Sequence, residues 1–97
     1  MLRYVVTREP GPAWDRSHPM REQEGWDDHA AFMDALADEG FIVLGGPLGD
    51  ADRAQHIVGA GSAAEIEARL AADPWEAAGI LRTVAIERWT VLLDASA

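Results

Sequence analysis

Two residues of this sequence, His29 and Asp73, have the types and positions of an acid–base pair. Imidazole exchanges protons close to neutral pH, and a neighbouring carboxylate orients the ring and stabilises its protonated form. His29 stands near the start of one predicted helix, and Asp73 stands where a second one ends. The pair therefore predicts a site of proton transfer, provided that the fold brings these two helix ends together.

Each of the two residues also has a purely structural explanation. His29 could satisfy a helix end or fill an interface without taking part in any chemistry. Asp73 precedes Pro74 and stands three residues before Glu76, which is the pattern of an N-cap that begins a short helix. A capping carboxylate keeps lone pairs for an imidazole, so the two roles of Asp73 are compatible.

The composition limits the remaining kinds of chemistry. The chain has 97 residues, 48% of them hydrophobic and 26% charged, which predicts a single domain over residues 1–97. All eight basic residues are arginines and no cysteine occurs, so Schiff-base lysine chemistry, thiolate chemistry and disulfides are excluded. The formal net charge of -9 argues against binding to nucleic acid. Since no membrane-spanning stretch or signal peptide is recognisable, we expect a cytoplasmic protein.

The order of the predicted elements is β-α-β-β-α-β. Strands are expected at residues 2–7, 41–44, about 53–60 and 82–93, where apolar, β-branched and aromatic residues concentrate. From Trp26 to Gly40, apolar residues recur at helical spacing, and a second helix runs from the capping box Ser62–Glu65 to about Ala72. This order predicts a ferredoxin-like α+β fold, in which two helices cover one face of a four-stranded antiparallel sheet.

The predicted topology gathers several segments at one end of the domain. The first strand leads to the start of the first helix, and the second helix returns to the same end, so His29 and Asp73 should be neighbours. A glycine-rich stretch at residues 45–50 is predicted to form a turn there. Asp38 and Glu39 fall at the opposite end.

The connection at residues 8–25 is longer than most unstructured loops of compact domains, and loops of this length are commonly lids or binding loops. An aromatic plate and a guanidinium group in such a loop suit a small planar or anionic molecule. The residues expected to bind substrate are Trp14 and Arg21 of this connection together with Gly45, Gly46, Pro47 and Leu48. The alternative is a polar surface loop in which Trp14 packs back against the domain for its own stability.

Both faces of the predicted sheet carry apolar side chains. In the last strand, Val84 and Ile86 fall on one face, whereas Trp89 and Val91 fall on the other. Two helices cover only one face of a sheet, so the second face is expected to pack against a second copy of the chain. The sequence therefore predicts a homodimer joined through its sheets.

Motifs for metals, nucleotides and activated serines do not occur. The three histidines, His18, His29 and His56, lack the spacing of metal ligands. The glycine-rich stretch lacks the lysine of a P-loop and the pattern G-x-G-x-x-G, and no serine stands in a nucleophile elbow. We therefore expect neither a metal ion nor a cofactor.

Several segments in order carry a family resemblance. They are residues 4–6, 26–36, 38–41 and 45–48, and Asp73-Pro74-Trp75 followed by residues 84–87. Together they resemble the YciI-like, or YCII-related, family of dimeric α+β barrel proteins, over nearly the whole chain. The resemblance implies a ferredoxin-like protomer, a dimer and an active site that contains a histidine and an aspartate. His29 and Asp73 match these positions, and Asp38 matches less well because the topology places it at the far end.

The residues and the resemblance together predict a cofactor-free lyase or isomerase. His29 would donate or accept the proton, and Asp73 would orient the His29 ring. The substrate would be a small aromatic or enolisable molecule. One alternative is a non-catalytic dimer that binds a small ligand or serves as an accessory protein. A purely structural interaction domain is a third possibility.

Overall fold

A four-stranded antiparallel sheet, covered on one face by helices, forms the fold in the computed structural model, which describes residues 2–49 and 52–96. The strands are β1 Leu2–Pro10, β2 Ile42–Pro47, β3 Ala54–Ala60 and β4 Leu81–Trp89, and the helices are α1 Trp26–Asp38, α2 Ala63–Leu70 and α3 Pro74–Ala77, with a 3-10 turn at Met20–Glu22. The strand order is β2-β3-β1-β4. The predicted ferredoxin-like α+β fold is therefore confirmed. None of the helices in the described residues has the length and apolar character needed to cross a membrane.

The hydrophobic core lies between the sheet and the two longer helices. Alternate residues of β1, including Val6, face this core, where they meet Val58 of β3. The helices contribute Leu36 from α1 and Ile66 and Leu70 from α2. Burial of an aliphatic side chain stabilises a fold by roughly 1.5–3 kcal/mol, so these few contacts hold both helices on the sheet. A smaller cluster beneath α3 contains Trp14, Trp75, Ile80 and Leu81.

Strand β1 is longer than the sequence predicts, because it includes Arg8, Glu9 and Pro10. Among the described residues, the part of this strand beyond Arg8 pairs with β4 alone, where Pro10 lies opposite Leu81. Proline lacks a backbone N–H and is tolerated where one side of a strand has no ladder partner. The predicted end at Thr7 was wrong, because the register of the neighbouring strands decides whether a proline interrupts the sheet.

The predicted turn at residues 45–50 begins too early. Residues 45–47 belong to β2 and pair with residues 54–56 of β3. Pro47 is compatible with this position because β2 is an edge strand. The backbone N–H of Leu48 then donates to the carbonyl of Arg53 over 2.9 Å, which closes the connection. Asp50, the last residue of the predicted turn, lies outside the described residues.

Two other predicted elements, the last strand and the second helix, extend too far at their C-terminal ends. The last strand ends at Trp89, opposite Arg3 of β1, so it stops close to the N-terminal end of its neighbour. The second helix ends at Leu70, with Ala71 as its C-cap. Its start matches the prediction, since the Ser62 hydroxyl accepts the N–H of Glu65 over 3.2 Å.

Candidate active site

His29 and Asp73 lie in direct contact at the helix-covered end of the sheet. The ring nitrogen Nδ1 of His29 is 2.9 Å from each carboxylate oxygen of Asp73, and both side chains are buried. A carboxylate only accepts hydrogen bonds, so the proton of a neutral imidazole belongs on Nδ1 and the lone pair on Nε2. The structure thus brings together the two residues that the topology had placed at one end.

The local sequence explains how each of these side chains is positioned. His29 lies in the first turn of α1, which starts after Gly25 in the left-handed conformation (φ 76°). Asp73 is the N-cap of α3, and its Oδ1 accepts the N–H of Trp75 over 2.9 Å. Pro74 follows at the first helical position, where its missing N–H has no helical partner to lose. Asp73 therefore caps a helix and orients a histidine at the same time.

Arg8 completes the environment of Asp73. Its Nη2 lies 2.8 Å from Oδ2 of Asp73 and 2.8 Å from Oε2 of Glu76, and the Arg8 side chain is fully buried. Burial raises the pKa of the Asp73 carboxyl, but the His29 hydrogen bond, the Trp75 N–H and the charge of Arg8 outweigh burial and hold that pKa below its usual value. Asp73 is therefore a carboxylate at neutral pH.

The sequence contained a signal for Arg8 that the prediction did not use. Arg8 follows Tyr4 and Val6 at every second position, and all three side chains are buried. Because the first strand was ended at Thr7, Arg8 was assigned to the loop and its alternation with the core residues was missed. A charged residue in phase with the buried positions of a strand indicates a buried ion pair.

Aromatic side chains fix the orientation of the His29 ring. The indole of Trp75 stacks on the imidazole with 4.0 Å between ring centroids and 6° between planes. Trp75 is itself held by a 2.8 Å hydrogen bond from its Nε1 to the carbonyl of Glu24. Trp26 contacts the other rings at a tilt, 5.8 Å from His29 and 5.6 Å from Trp75. The imidazole is held between its carboxylate partner and these indoles.

A cavity of about 370 Å³ borders His29. This volume lies near the lower end of the range of roughly 300–1,000 Å³ that small-molecule sites occupy. Of the predicted substrate-binding residues, Trp14, Arg21, Gly45, Gly46 and Pro47 line the cavity, and Leu48 does not.

Trp14 and Arg21 are held in different ways beside this cavity. The Trp14 ring is packed edge-on against Trp75 at 5.9 Å, so it both packs back against the domain and borders the cavity. The guanidinium of Arg21 lies 5.5 Å from the ring centre of Trp26, in cation–π contact. Gln23 stabilises the loop between Trp14 and Arg21, because its side-chain amide donates to the carbonyls of Asp15 and His18 over 2.7 and 2.8 Å.

The cavity has a second buried histidine, His56 of β3. Within the described part of the chain, neither of its ring nitrogens has a hydrogen-bond partner. Burial is the largest cause that lowers the pKa of His56 from 6.5 to about 4; the charge of Arg8 and the protonated form of His29 act in the same direction, and Asp73 opposes them. Gly45 lies directly opposite in β2, and a Cβ at that position would overlap Nδ1 of His56. From the sequence, His56 was a candidate only for a metal ligand, and nothing in its local pattern predicts a place in this cavity.

Comparison with known proteins agrees with this architecture. A family model described as the YCII-related domain matches residues 2–90. No curated protein matches the sequence significantly. Among solved structures, the chain is similar to the 5-chloro-2-hydroxyhydroquinone dehydrochlorinase of Burkholderia phenoliruptrix in complex with 2,5-dihydroxybenzoquinone, with 26% identity, a TM-score of 0.63, and coverage of 92% of this chain and 94% of that chain. Because the family model spans nearly all of the sequence, the chain belongs to the YCII-related domain family.

Proposed function

We propose that this chain is a cofactor-free lyase or isomerase that uses His29 and Asp73 to move a proton on a small aromatic or enolisable molecule. The observation that carries the proposal is the buried His29–Asp73 contact of 2.9 Å at the border of a cavity. Nδ1 faces the carboxylate, so Nε2 is the nitrogen left for a bound molecule. In this arrangement His29 exchanges the proton, and Asp73 holds the His29 ring in place.

The chemistry follows from the charges around the imidazole. Nε2 of His29 takes a proton from a C–H or O–H group of the substrate, and the electron pair of the broken bond moves into the substrate. The resulting imidazolium is stabilised by the Asp73 carboxylate, whose lowered pKa keeps it ionised. The imidazolium then returns the proton to another atom in an isomerisation, or to the departing group or solvent in an elimination. Neither course changes the overall oxidation state.

The substrate class is supported by the cavity and by the similar solved structure. Two indoles, Trp14 and Trp26, and the guanidinium of Arg21 border the space next to His29. Indole rings suit a flat molecule, and a guanidinium suits its oxygen atoms. The dehydrochlorinase binds 2,5-dihydroxybenzoquinone, which is flat and carries oxygen atoms around its ring. A molecule of this kind is the substrate class that we propose for this chain.

The proposal includes a homodimer that forms through the open face of the sheet. On the face away from the helices, Val5 of β1 lies opposite Ile57 of β3, and Ile57 lies opposite Leu44 of β2. Leu44 is 68% exposed and Trp89 of β4 is 45% exposed in the single chain. Exposed apolar surface of this extent is typical of a contact with another protein. A sedimentation experiment that found only monomers from micromolar to millimolar concentration would rule the dimer out.

The catalytic role of His29 is tested by turnover of a panel of chlorinated hydroxyhydroquinones and enolisable ketones. In His29→Ala we expect turnover to fall by about 10²–10⁴, the usual contribution of a general acid–base group. His18→Ala is the matched control, because the His18 side chain is 52% exposed and lies 3.7 Å from Asp15. Full activity of His29→Ala on a substrate that the native protein converts would disprove the proposal. Binding of panel compounds without any turnover would favour the non-catalytic binding or accessory dimer.

A further inference from the structure

His56 is a buried side chain that the proposed proton transfer does not use. It lies on the inner face of the sheet, opposite Val6 of β1 and Gly45 of β2. The residue is only 6% exposed, and neither ring nitrogen has a partner among residues 2–49 and 52–96. Buried side-chain nitrogens without any partner are uncommon in folded proteins, and each one calls for an explanation.

We propose that His56 is a ligand-binding residue of the cavity, where a ring nitrogen forms a hydrogen bond with a hydroxyl or carbonyl oxygen of a bound planar molecule. The ring already forms part of the cavity wall that also contains His29. Both nitrogens have almost no exposed surface, so this contact requires a rotation of the ring that brings one nitrogen to the cavity surface. The inference rests on the proposed function only in taking the ligand to be a small oxygen-bearing molecule.

The surroundings of His56 determine what kind of contact it can make. Burial and the nearby charge of Arg8 keep the imidazole neutral at neutral pH. A neutral imidazole has one N–H donor and one acceptor nitrogen, so it can bind either a carbonyl or a hydroxyl oxygen. A site of this kind discriminates against analogues that lack the oxygen, since the buried nitrogen would again lose its partner. His56 is thereby assigned to substrate selection, whereas His29 is assigned to proton transfer.

Gly45 contributes to the same binding site, because its lack of a side chain leaves space for the His56 ring. A Cβ at residue 45 would overlap Nδ1 of His56, whereas a Cβ at the next residue, Gly46, would meet nothing within 4 Å. The absence of a side chain at Gly45 is therefore matched to the imidazole in the adjacent strand. Gly45 therefore allows the imidazole to lie at the cavity wall.

The test is an absorbance titration of the full chain with 2,5-dihydroxybenzoquinone. His56→Phe keeps a flat ring but loses both nitrogens, and we expect about tenfold weaker binding, the contribution of a single hydrogen bond. His56→Gln loses the ring but keeps a donor and an acceptor, and it should bind more tightly than His56→Phe. His18→Gln, which alters an exposed histidine, is the control and should bind like the native chain. Native affinity in His56→Phe, or tighter binding by His56→Phe than by His56→Gln, would overturn the inference.

A measurement on the native chain guards against variants that fail to fold. With ¹⁵N-labelled histidine, addition of the quinone should shift the ring nitrogen resonances of His56, and it should do so in His29→Ala as well. Unchanged His56 resonances at saturation, or no binding of the quinone, would contradict the inference. Failure of the proposed function gives a different result, in which the His56 resonances shift on binding but His29→Ala retains full turnover.

Discussion

Two regions border the same cavity, and each contains a buried histidine in a different electrostatic setting. In the paired cluster, formed by Arg8, His29, Asp73 and Glu76, ion pairs and hydrogen bonds join every member to another. In the His56 wall, formed by His56 and Gly45, the imidazole contacts a backbone that offers it no hydrogen bond. Each region has one member in the sheet, Arg8 in β1 and His56 in β3, and both of these side chains are buried.

The difference shows that burial alone does not decide the charge of a side chain. Asp73 is fully buried, and its partners keep its pKa below the usual value, so the carboxyl group is ionised at neutral pH. His56 is almost as buried, and its pKa falls to about 4, so the imidazole is neutral at the same pH. Hydrogen bonds and opposite charges compensate the loss of hydration in the first region and not in the second. The cavity therefore borders one histidine that contacts an ionised carboxylate, which suits proton transfer, and one neutral histidine, which suits hydrogen bonding.

The largest expected effect comes from breaking the paired cluster at Arg8. In Arg8→Met, Asp73 would remain buried without its cationic partner, so we expect the free energy of unfolding to fall by about 3–5 kcal/mol. Urea denaturation at neutral pH measures this change. The control is Arg82→Met, because Arg82 is 62% exposed and lies 3.9 Å from Glu9, a pair expected to contribute about 0–1 kcal/mol. A loss below about 1 kcal/mol in Arg8→Met would show that the cluster relaxes without its arginine.

The second prediction separates the two regions by pH. The pKa of His56 falls from 6.5 to about 4 on folding, so between these values the unfolded chain binds a proton that the folded chain does not. The contribution of neutral, buried His56 to the free energy of unfolding is fully present above pH 6.5. This contribution is lost as the pH falls toward 4, by about 3 kcal/mol in total. The charged groups that face it are Arg8 from β1, His29 from α1 and Asp73 before α3.

The paired cluster responds at lower pH than His56. Since the pKa of Asp73 lies below its usual value of 3.8, stability from this carboxylate is present above 3.8 and is lost as the pH falls through the lowered pKa. Chemical denaturation at a series of pH values should show both stages in the native chain and in His18→Gln. In His56→Phe the loss between pH 6.5 and 4 should shrink, and an unchanged slope there would contradict the assignment to His56.

The sequence predicts the paired cluster better than the His56 wall. The contact between His29 and Asp73 could be anticipated because the direction of each element follows from chain order, and both residues mark helix ends. The cap at Asp73 could also be read from the following proline and glutamate. Local patterns of this kind suffice when an element fixes the position of its own terminal residue.

Arg8 and His56 required information that local patterns do not contain. Arg8 was missed because two prolines near it suggested a strand end, while the actual end depends on which neighbour pairs with each residue. His56 faces Gly45 only because β2 continues through the glycines and pairs with β3 in that register. If β3 were shifted by one residue against its neighbours, His56 would turn to the other face of the sheet. The role of His56 therefore follows from strand pairing.

A third prediction tests whether charge at Asp73 matters beyond its cap. Asparagine at this position still accepts the Trp75 N–H, but it lacks the charge that stabilises an imidazolium at His29. On a substrate that the native protein converts, we expect kcat to fall about a hundredfold in Asp73→Asn. Circular dichroism at the assay temperature must show the native fold in the variant. Full activity in a folded variant would remove the ionic role and leave Asp73 with the cap alone.

The smallest effect is expected from Gly45→Ala, which disturbs the His56 wall and leaves the paired cluster intact. The new Cβ would overlap the His56 ring, and overpacking of this kind lowers the free energy of unfolding by about 1–3 kcal/mol. Gly46→Ala is the matched stability control, since its Cβ would meet nothing within 4 Å. In the background of His56→Ala the overlap no longer exists, so the two substitutions should couple and most of the loss should disappear. Simple additivity in this cycle would mean that Gly45 is required for the backbone of β2, and that the close fit between the glycine and the imidazole has no energetic consequence.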